Sequence, residues 1–187
     1  MFNKKLAIIG ASGAVGRVFI ELLDEMYPGT KDLFLVASKR SAGKSMLCGK
    51  EEFLIQDIED FDFLLVDIAF FSAGAETAEK YAPIAVSKGC TVIDNSSQFR
   101  TDSDKPLIVP EVNSRDLKDF KLPGIIANPN CSTAQLVVAL KPIHDLFKIE
   151  RVDVASYQSV SGTGKEGIDE LLEQTENFLN KKEIKPK

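Results

Sequence analysis

The sequence lacks several features that would place it in a specialised class of protein. Its three cysteines, Cys48, Cys90 and Cys131, include no CxxC pair. This excludes a disulfide framework and a cysteine metal cluster and favours a reducing cytoplasm. No apolar run approaches the roughly 20 residues that a membrane-spanning helix requires. Positive charge does not predominate, because 23 lysines and arginines stand against 28 aspartates and glutamates. Nucleic acid, anionic membranes and metals are therefore not expected as partners.

What the sequence does contain is a regular alternation of apolar runs and helical patterns. Strands are predicted at Leu6–Ile9, Leu33–Ala37, Glu52–Ile55, Leu64–Phe71, Thr91–Asp94, Leu107–Val109 and Ile125–Ala127. Helices are predicted at Ala14–Met26, Thr77–Lys88 and Ser132–Phe147. Continuous apolar strands that alternate with helices indicate parallel pairing with both sheet faces covered. The predicted fold class is therefore α/β, with a doubly wound and mostly parallel sheet.

The length of the chain predicts one complete domain and part of another. The 187 residues exceed an average domain but fall short of two. Residues 1–127 hold the alternating pattern and are assigned to the first domain. Residues 128–187 are too few for a second core of ordinary size, so they are assigned to the beginning of an α+β catalytic or dimerisation domain. A longer, partly alternating strand is predicted there at Arg151–Ser159.

Three glycines, Gly10, Gly13 and Gly16, follow the first predicted strand with the spacing GxxGxxG. Glycine permits a tight turn and lets the backbone approach a pyrophosphate, which the N-terminus of the following helix stabilises. The spacing is a variant of the usual GxGxxG. Its position at the first strand–helix junction favours a dinucleotide site over a turn without a ligand. The first domain is therefore predicted to be of the Rossmann type.

The end of the second predicted strand indicates which dinucleotide is bound. An acidic residue there would hold the ribose 2′-hydroxyl of NAD. The sequence has instead Lys39 and Arg40, two cations that suit a 2′-phosphate, and no carboxylate at this place. NADP is therefore the predicted cofactor, with solvated loop charges as the alternative interpretation.

Cys131 lies where a reactive thiol is expected, after the strand Ile125–Ala127 and at the start of the next helix. The positive end of the helix dipole favours the thiolate form of such a cysteine. Asn130 supplies an amide beside the thiol, and the backbone N–H groups of the first helical turn are able to donate to an oxyanion. Cys131 is therefore the candidate nucleophile, whereas Cys90 is interpreted as a buried thiol and Cys48 as a loop thiol.

A nucleophilic cysteine combined with NADP indicates thioester chemistry, which requires a general base, most often a histidine. The only histidine, His144, lies 13 residues beyond Cys131 on the same predicted helix. That separation is about 20 Å along the helix axis at a rise of 1.5 Å per residue. His144 is therefore interpreted as a surface residue. Because the expected base is absent, this chain alone is predicted to be inactive.

Seven segments occur in a particular order along the chain. They are Gly10–Gly16, Ser38–Lys44, Phe71–Gly74, Asp94–Arg100, Val109–Asn113, Asn128–Thr133 and Tyr157–Gly164. Together they closely resemble the bacterial aspartate-semialdehyde dehydrogenases, and the Asn-Pro-Asn-Cys-Ser-Thr string at residues 128–133 is the most specific of them. The resemblance implies a homodimeric, NADP-dependent enzyme. Such an enzyme would reduce L-aspartyl-4-phosphate to the semialdehyde, on the route to lysine, threonine and methionine.

The resemblance also implies roles for individual residues. Cys131 would carry the acyl-thioester with Asn130 beside it, and two further residues, Arg100 and Gln158, would bind phosphate and orient the substrate. The cofactor would contact Gly10, Ser12, Gly13, Ala14, Val15, Gly16, Arg40, Ser41, Ser72, Gly74, Ser161 and Gly162.

The sequence departs from this family in length, and alternatives stay open. Family members are considerably longer, and their catalytic histidine, a phosphate-binding lysine, a carboxylate-binding arginine and most of the dimerisation domain lie beyond residue 187. The sequence is therefore interpreted as an N-terminal fragment. N-acetyl-glutamyl-phosphate reductase shares a glycine loop and a cysteine nucleophile, although in a different cysteine context. A non-catalytic NADP-binding or redox-sensing module is the alternative from another functional class.

Overall fold

The computed structural model describes residues 4–186. The chain divides into two compact units, Met1–Glu150 and Arg151–Lys187. The first unit contains the sheet, and the second contains a long helix. The domain boundary that we place after residue 127 stays a prediction. Within residues 4–186, no helix is both long and apolar enough to cross a membrane.

Seven strands of the first unit form one sheet with the order β3-β4-β2-β1-β5-β6-β7. They are β1 (Leu6–Ile9), β2 (Leu33–Ala37), β3 (Ser45–Cys48), β4 (Glu51–Asp57), β5 (Ile68–Phe71), β6 (Thr91–Asp94) and β7 (Ile125–Ala127). All neighbouring pairs are parallel except β3 and β4, which are antiparallel. The predicted α/β class with a doubly wound, mostly parallel sheet is confirmed.

Five α-helices are described within residues 4–186. They are α1 (Ala14–Met26), α2 (Ala75–Ser87), α3 (Pro110–Asn113), α4 (Cys131–Phe147) and α5 (Lys165–Leu179). The bounds of α1 agree with the prediction, and α4 begins one residue earlier than predicted, at Cys131. The chain leaves α2 through Gly89, whose φ is +88° and whose N–H donates to the Val86 carbonyl. A glycine in this conformation ends a helix, as expected for Gly89.

Apolar side chains cover both faces of the sheet. Along β1, Leu6 and Ile8 belong to a buried cluster that includes residues of α1. Ala7 and Ile9 belong to a second cluster, on the other face, that includes residues of α2. Successive side chains of a strand alternate between the two faces, so a strand covered on both sides requires an uninterrupted apolar run. The loop that follows β1 is therefore held by a fully buried strand.

The predicted strand Leu64–Phe71 is too long. Its first part belongs to a 3-10 helix, Phe63–Leu65, and β5 begins only at Ile68. The Asp62 carboxylate accepts a hydrogen bond from the Leu64 N–H at 3.0 Å and thereby caps this short helix. An aspartate at this position favours a local cap over an extended strand.

Two further strand predictions are wrong. Leu107–Val109 forms only an isolated bridge, between Leu107 and Ala127. Arg151–Ser159 is not paired with any strand in the part of the chain that the structure describes. A strand exists through hydrogen bonds to a neighbouring strand, and an apolar or alternating pattern does not by itself provide that neighbour.

The predicted strand Glu52–Ile55 is part of an edge hairpin that the sequence pattern did not indicate. β3 pairs with β4 antiparallel, from Ser45 opposite Leu54 to Cys48 opposite Glu51. Cys48 is thus the last residue of a strand and is buried, with its thiol 3.7 Å from the Ile20 carbonyl oxygen. The interpretation of Cys48 as a loop thiol is wrong, because the edge strand brings it under α1.

Candidate active site

The glycine loop leaves β1 at the carboxyl edge of the sheet and enters α1, as predicted. Gly10 has a φ of +87°, and a Cβ on it would lie 2.9 Å from the carbonyl carbon of Ser72. A Cβ on Gly16 would lie 2.4 Å from the carbonyl oxygen of Gly10. Both positions therefore require glycine. Gly10 permits the turn and the close contact with the end of β5. Gly16 permits the close contact between α1 and the glycine loop.

The N-terminus of α1 is open to an anion. Its N-cap is Gly13, which has no side chain to cap the helix, and no acidic residue lies in the first turn. The first backbone N–H groups of a helix have no acceptor within the helix, so they are available to a ligand. The donor set, the bare cap and the close backbone approach at Gly10 fit the pyrophosphate of a dinucleotide.

A second helix capped by glycine begins beside this loop. At the end of β5, Ser72 donates from its N–H and from its hydroxyl to the Ile9 carbonyl, at 2.9 and 3.1 Å. Gly74, with a φ of +86°, is the N-cap of α2. The chain passes from β1 to β2 on one side and reaches β5 on the other, so the crevice between β1 and β5 is a topological switch point. Doubly wound sheets bind their ligands at such points.

The loop after β2 also reaches the glycine loop. The Ser12 hydroxyl donates to the Ser41 hydroxyl at 3.0 Å. Arg40 and Lys39 precede Ser41 and are exposed. Arg17 of α1 donates from Nε to the Ser12 carbonyl at 3.1 Å. The structure thus brings Ser12 and Ser41 together, next to exposed cations that suit contact with a phosphate.

Cys131 is the first residue of α4, one residue before the predicted start of this helix, and its side chain is exposed. The N-cap of this helix is Asn130, whose Oδ1 accepts a hydrogen bond from the Thr133 N–H at 2.8 Å. The Nδ2 group of Asn130 forms no hydrogen bond with the described residues, so it is left to donate to a ligand. The thiol, the free amide and the first-turn N–H groups of α4 therefore lie at one helix end, where an oxyanion would be stabilised.

The other two thiols lie in the core. Burial raises the pKa of Cys90 to about 12, with a further contribution from the charge of Asp67. Burial also raises the pKa of Cys48, helped by Asp24. Both thiols are therefore protonated at neutral pH and shielded from reagents, as predicted for Cys90. Cys131 is the exposed cysteine.

Arg100 lies in the loop after β6 and is half-buried. Its Nε donates to the Asn128 carbonyl and its Nη2 donates to the Asn95 carbonyl, each at 2.9 Å. Asn128 begins the segment that leads from β7 to Cys131. The predicted phosphate-binding arginine and the predicted nucleophile are therefore brought to the same edge of the sheet.

A buried carboxyl lies under the same loop. Asp94, the last residue of β6, is fully buried and accepts hydrogen bonds from the Ser96 N–H at 3.0 Å and the Ser96 hydroxyl at 2.7 Å. Burial raises the pKa of Asp94 above its ordinary value, and the Ser96 hydrogen bonds and the charge of Arg100 oppose that shift. Asp94 thus shapes the loop that carries Arg100.

Sequence reasoning missed Asn95 and Asn128. The Asn128 Nδ2 donates to the Asn95 Oδ1 at 2.7 Å. Each asparagine directly follows a strand, β6 or β7, and these strands are parallel neighbours. This position could have predicted that the two asparagines lie close together, because residues that follow neighbouring parallel strands meet at one edge of the sheet.

Three predicted site residues, Gln158, Ser161 and Gly162, lie in the second unit and are exposed. A 3-10 helix spans Val160–Thr163, and the hydroxyls of Ser159 and Ser161 are 2.7 Å apart. A Cβ on Gly162 would meet the side-chain amide of Gln158. The roles of these residues toward substrate and cofactor stay predictions.

His144 is exposed on α4, which confirms that it is a surface residue. Its backbone carbonyl accepts a hydrogen bond from the Lys148 N–H at 2.9 Å at the end of the helix. Among residues 4–186, no group of three or more histidine, cysteine, aspartate or glutamate side chains is arranged to hold a metal ion.

Comparison with known families shows which family the chain belongs to. The model described as "Semialdehyde dehydrogenase, NAD binding domain" matches residues 5–120, more than half of the chain. The chain belongs to the semialdehyde dehydrogenase family. A second model of the same family, "Semialdehyde dehydrogenase, dimerisation domain", matches residues 140–187. The resemblance inferred from the motifs is thereby confirmed, and the Rossmann-type domain is the NAD(P)-binding domain of a semialdehyde dehydrogenase.

Two curated relatives of this chain share the name aspartate-semialdehyde dehydrogenase. The aspartate-semialdehyde dehydrogenase of Shewanella violacea is 53% identical over 174 residues, which are 93% of this chain and 52% of that protein. The relative from Aquifex aeolicus is 49% identical over 181 residues, 96% of this chain and 53% of that protein. The chain thus spans about half the length of the curated relatives it matches.

Solved structures agree with the fold of this chain. Aspartate semialdehyde dehydrogenase II from Vibrio cholerae, complexed with ASA, matches with a TM-score of 0.89 and 50% identity, over 97% of this chain and 54% of that one. The enzyme from Candida albicans, solved with NADP, matches with a TM-score of 0.63 and 32% identity, over 78% of this chain and 48% of that one.

Proposed function

We propose that this chain carries the cofactor domain and the nucleophile of an aspartate-semialdehyde dehydrogenase. The reaction is the NADP-dependent reductive dephosphorylation of L-aspartyl-4-phosphate to L-aspartate 4-semialdehyde, in the biosynthesis of lysine, threonine and methionine. The observation that carries the proposal is an exposed thiol, Cys131, at a helix N-terminus on the same sheet edge as Arg100 and the glycine loop. The shared name of the relatives supports it.

The proposed chemistry uses Cys131 as the attacking group. Its thiolate attacks the C4 carbonyl carbon of the acyl phosphate, the C–S bond forms, and the C–O bond to phosphate breaks with the electron pair leaving on phosphate. NADPH, when bound, supplies the hydride that reduces the resulting thioester. The thiohemiacetal oxyanion on Cys131 then collapses: the C–S bond breaks with its electron pair leaving on sulfur, which releases the aldehyde and returns the thiolate.

The residues around Cys131 are proposed to bind the acyl phosphate that the thiolate attacks. The free Nδ2 group of Asn130 and the first-turn N–H groups of α4 would stabilise the carbonyl oxygen as it becomes an oxyanion. Arg100 would bind the phosphate group, since two N–H groups of a guanidinium match two phosphate oxygens. Gln158 is proposed to orient the substrate.

NADP is proposed as the cofactor in preference to NAD. Lys39 and Arg40 are exposed at the end of β2, where a doubly wound domain selective for NAD would place a carboxylate. The Candida albicans relative was solved with NADP, which supports the proposal. Arg40, Ser41, Ser12 and the glycine loop are proposed as its contacts in the first unit.

The cellular context and the assembly of the protein are also proposals. We infer a cytoplasmic enzyme, in keeping with three free thiols. A homodimer is inferred from the match of residues 140–187 to a dimerisation domain. The alternative is a non-catalytic NADP-binding or redox-sensing module, for which the absence of a histidine near Cys131 is the favouring observation.

The test adds the portion of a relative that this chain does not span and then traps the acyl-enzyme. Residues 1–187 are fused to the remaining portion of the Shewanella violacea relative, and the fusion is incubated with aspartate semialdehyde and NADP⁺ without phosphate. We expect one equivalent of NADPH and an acid-stable acyl adduct on Cys131, detected by peptide mass spectrometry. Cys131→Ser is the control and forms neither. Binding of NADP⁺ with no adduct on Cys131 would support the non-catalytic module instead.

A further inference from the structure

Three residues at the carboxyl edge of the sheet form a closed triangle of hydrogen bonds. Arg100 donates to the main-chain carbonyls of Asn128 and Asn95, and the Asn128 side-chain amide donates to the Asn95 side-chain oxygen at 2.7 Å. The three residues are each half-buried, so water competes only partly for these bonds. The position of the guanidinium is therefore coupled to the side chains of two asparagines.

The backbones of both asparagines are held by the sheet. The Asn95 N–H donates to the Phe71 carbonyl at 2.9 Å, and the Asn128 N–H donates to the Asp94 carbonyl at 2.8 Å. These bonds extend the ladder by one residue past β6 and β7. Beyond this point one loop leads to Arg100 and the other leads to Cys131. The side-chain bond between Asn95 and Asn128 joins them where the ladder stops.

The triangle leaves one edge of the guanidinium free. A guanidinium has five N–H donors. Nε and one N–H of Nη2 are used by the two carbonyls, and Arg100 forms no other hydrogen bond with the described residues. The edge formed by Nη1 and the second N–H of Nη2 is therefore available. Two parallel N–H groups are the geometry that binds two oxygens of a phosphate.

We propose that Asn95 and Asn128 are positioning residues for Arg100. Their side-chain bond fixes the two carbonyls that orient the guanidinium, so that its free edge faces the phosphate group of the substrate. The same bond ties this arginine to the segment that carries Cys131, which sets the phosphate-binding group relative to the nucleophile. The inference rests on the proposed function, because it takes Arg100 as the phosphate-binding residue.

The test follows the Nε–Hε signal of Arg100 by NMR in the ¹⁵N-labelled 187-residue chain, with inorganic phosphate as the probe. The signal is assigned by its loss in Arg100→Lys. In the unsubstituted chain we expect slow exchange of Hε with water and a shift of the signal as phosphate is added. Asn95→Ala and Asn128→Ala are each expected to speed this exchange and to weaken phosphate binding about three- to tenfold, the effect of one hydrogen bond.

A double substitution and two controls separate positioning from a general loss of structure. The double variant Asn95→Ala, Asn128→Ala is expected to match either single variant, because all three remove the same bond. Asn95→Asp keeps an acceptor for the Asn128 amide and is expected to retain slow Hε exchange. Ser97→Ala, in the same loop, changes a side chain that forms no hydrogen bond with the described residues and is expected to change nothing.

The outcomes distinguish this inference from the proposed function. Phosphate that shifts the Arg100 signal equally in the unsubstituted chain and in both alanine variants overturns the positioning role and leaves the proposed function intact. Additive losses in the double variant also overturn it, because the asparagines would then act independently. An Arg100 signal that responds to phosphate neither in the unsubstituted chain nor in the fusion with the relative overturns the phosphate-binding role of Arg100 and the inference with it.

Discussion

The side-chain oxygen of Asn130 accepts a hydrogen bond from the backbone N–H of Thr133 at 2.8 Å. This bond caps α4 at the residue before Cys131. The oxygen of the amide is therefore occupied by the helix, while its nitrogen is left for a ligand. The Asn130 side chain thus uses its oxygen to cap the helix and its nitrogen to donate to a ligand. Substitutions at this position can therefore remove one function and keep the other.

Asn130→Ala is expected to lower the free energy of unfolding by about 1 kcal/mol, the usual cost of a lost N-cap. Asn130→Asp keeps the capping oxygen and is expected to unfold at nearly the same urea concentration as the unsubstituted chain. In the fusion with the relative, both variants lack the amide donor and are expected to acylate Cys131 about a hundredfold more slowly. Equal stability losses in the two variants would contradict the capping role.

Cys131 is expected to be the one thiol that iodoacetamide modifies in the folded chain. Cys48 and Cys90 are buried, and burial raises the pKa of each above its ordinary value, so both stay protonated and shielded at neutral pH. Peptide mass spectrometry should find a single modified cysteine before denaturation and three after it. Cys131→Ser is the control and should show none in the folded state. Modification of Cys90 in the folded chain would refute this placement.

Gly16→Ala is expected to destabilise the first unit by about 3 kcal/mol, because the added methyl group would meet the backbone of the glycine loop. The nearest atom is the Gly10 carbonyl oxygen, at 2.4 Å from the new Cβ. Gly43→Ala is the matched control, since Gly43 has a φ of +82° but open space around it. It should lose only about 1 kcal/mol, from its backbone conformation. The comparison is made by urea unfolding, and similar losses in the two variants would count against the close approach.

Arg40→Ala is expected to weaken the binding of NADPH about tenfold or more and to leave the affinity for NADH nearly unchanged. The reason is the loss of a charge-assisted hydrogen bond to the 2′-phosphate, which NADH lacks. Fluorescence titration of both nucleotides measures the two affinities. Arg115→Ala removes an exposed arginine of the same unit after α3 and should alter neither. Equal losses for NADPH and NADH would exclude contact between Arg40 and the 2′-phosphate.

The 187-residue chain is expected to show negligible steady-state formation of NADPH from aspartate semialdehyde, phosphate and NADP⁺. Its single histidine, His144, lies about 20 Å along α4 from Cys131 at 1.5 Å per residue, so no imidazole reaches the thiol to move a proton. The measurement is the formation of NADPH over time, followed by its absorbance at 340 nm. Robust turnover by the purified chain would show that another group acts as the base.

Local patterns in the sequence predict most of the elements that hold the site. An uninterrupted apolar run identifies β1, the glycines identify the turn into α1, and the residues around Cys131 identify the start of α4. Each of these depends on neighbours within a few residues, on backbone conformation and on helix ends, so the chain segment contains the necessary information. The bounds of β1 and α1 are accordingly as predicted.

The sequence patterns did not predict the contacts between distant segments of the chain. The pattern at Arg151–Ser159 has no partner strand in the described residues, and Cys48 is buried only because β3 pairs with β4. Asn95 and Asn128 are 33 residues apart and meet because β6 and β7 are neighbours in the sheet. The sequence by itself determined which residues are able to bind a dinucleotide and attack a carbonyl. The tertiary structure decided which of them meet, because strand order, and not spacing along the chain, sets the distances at the edge of a sheet.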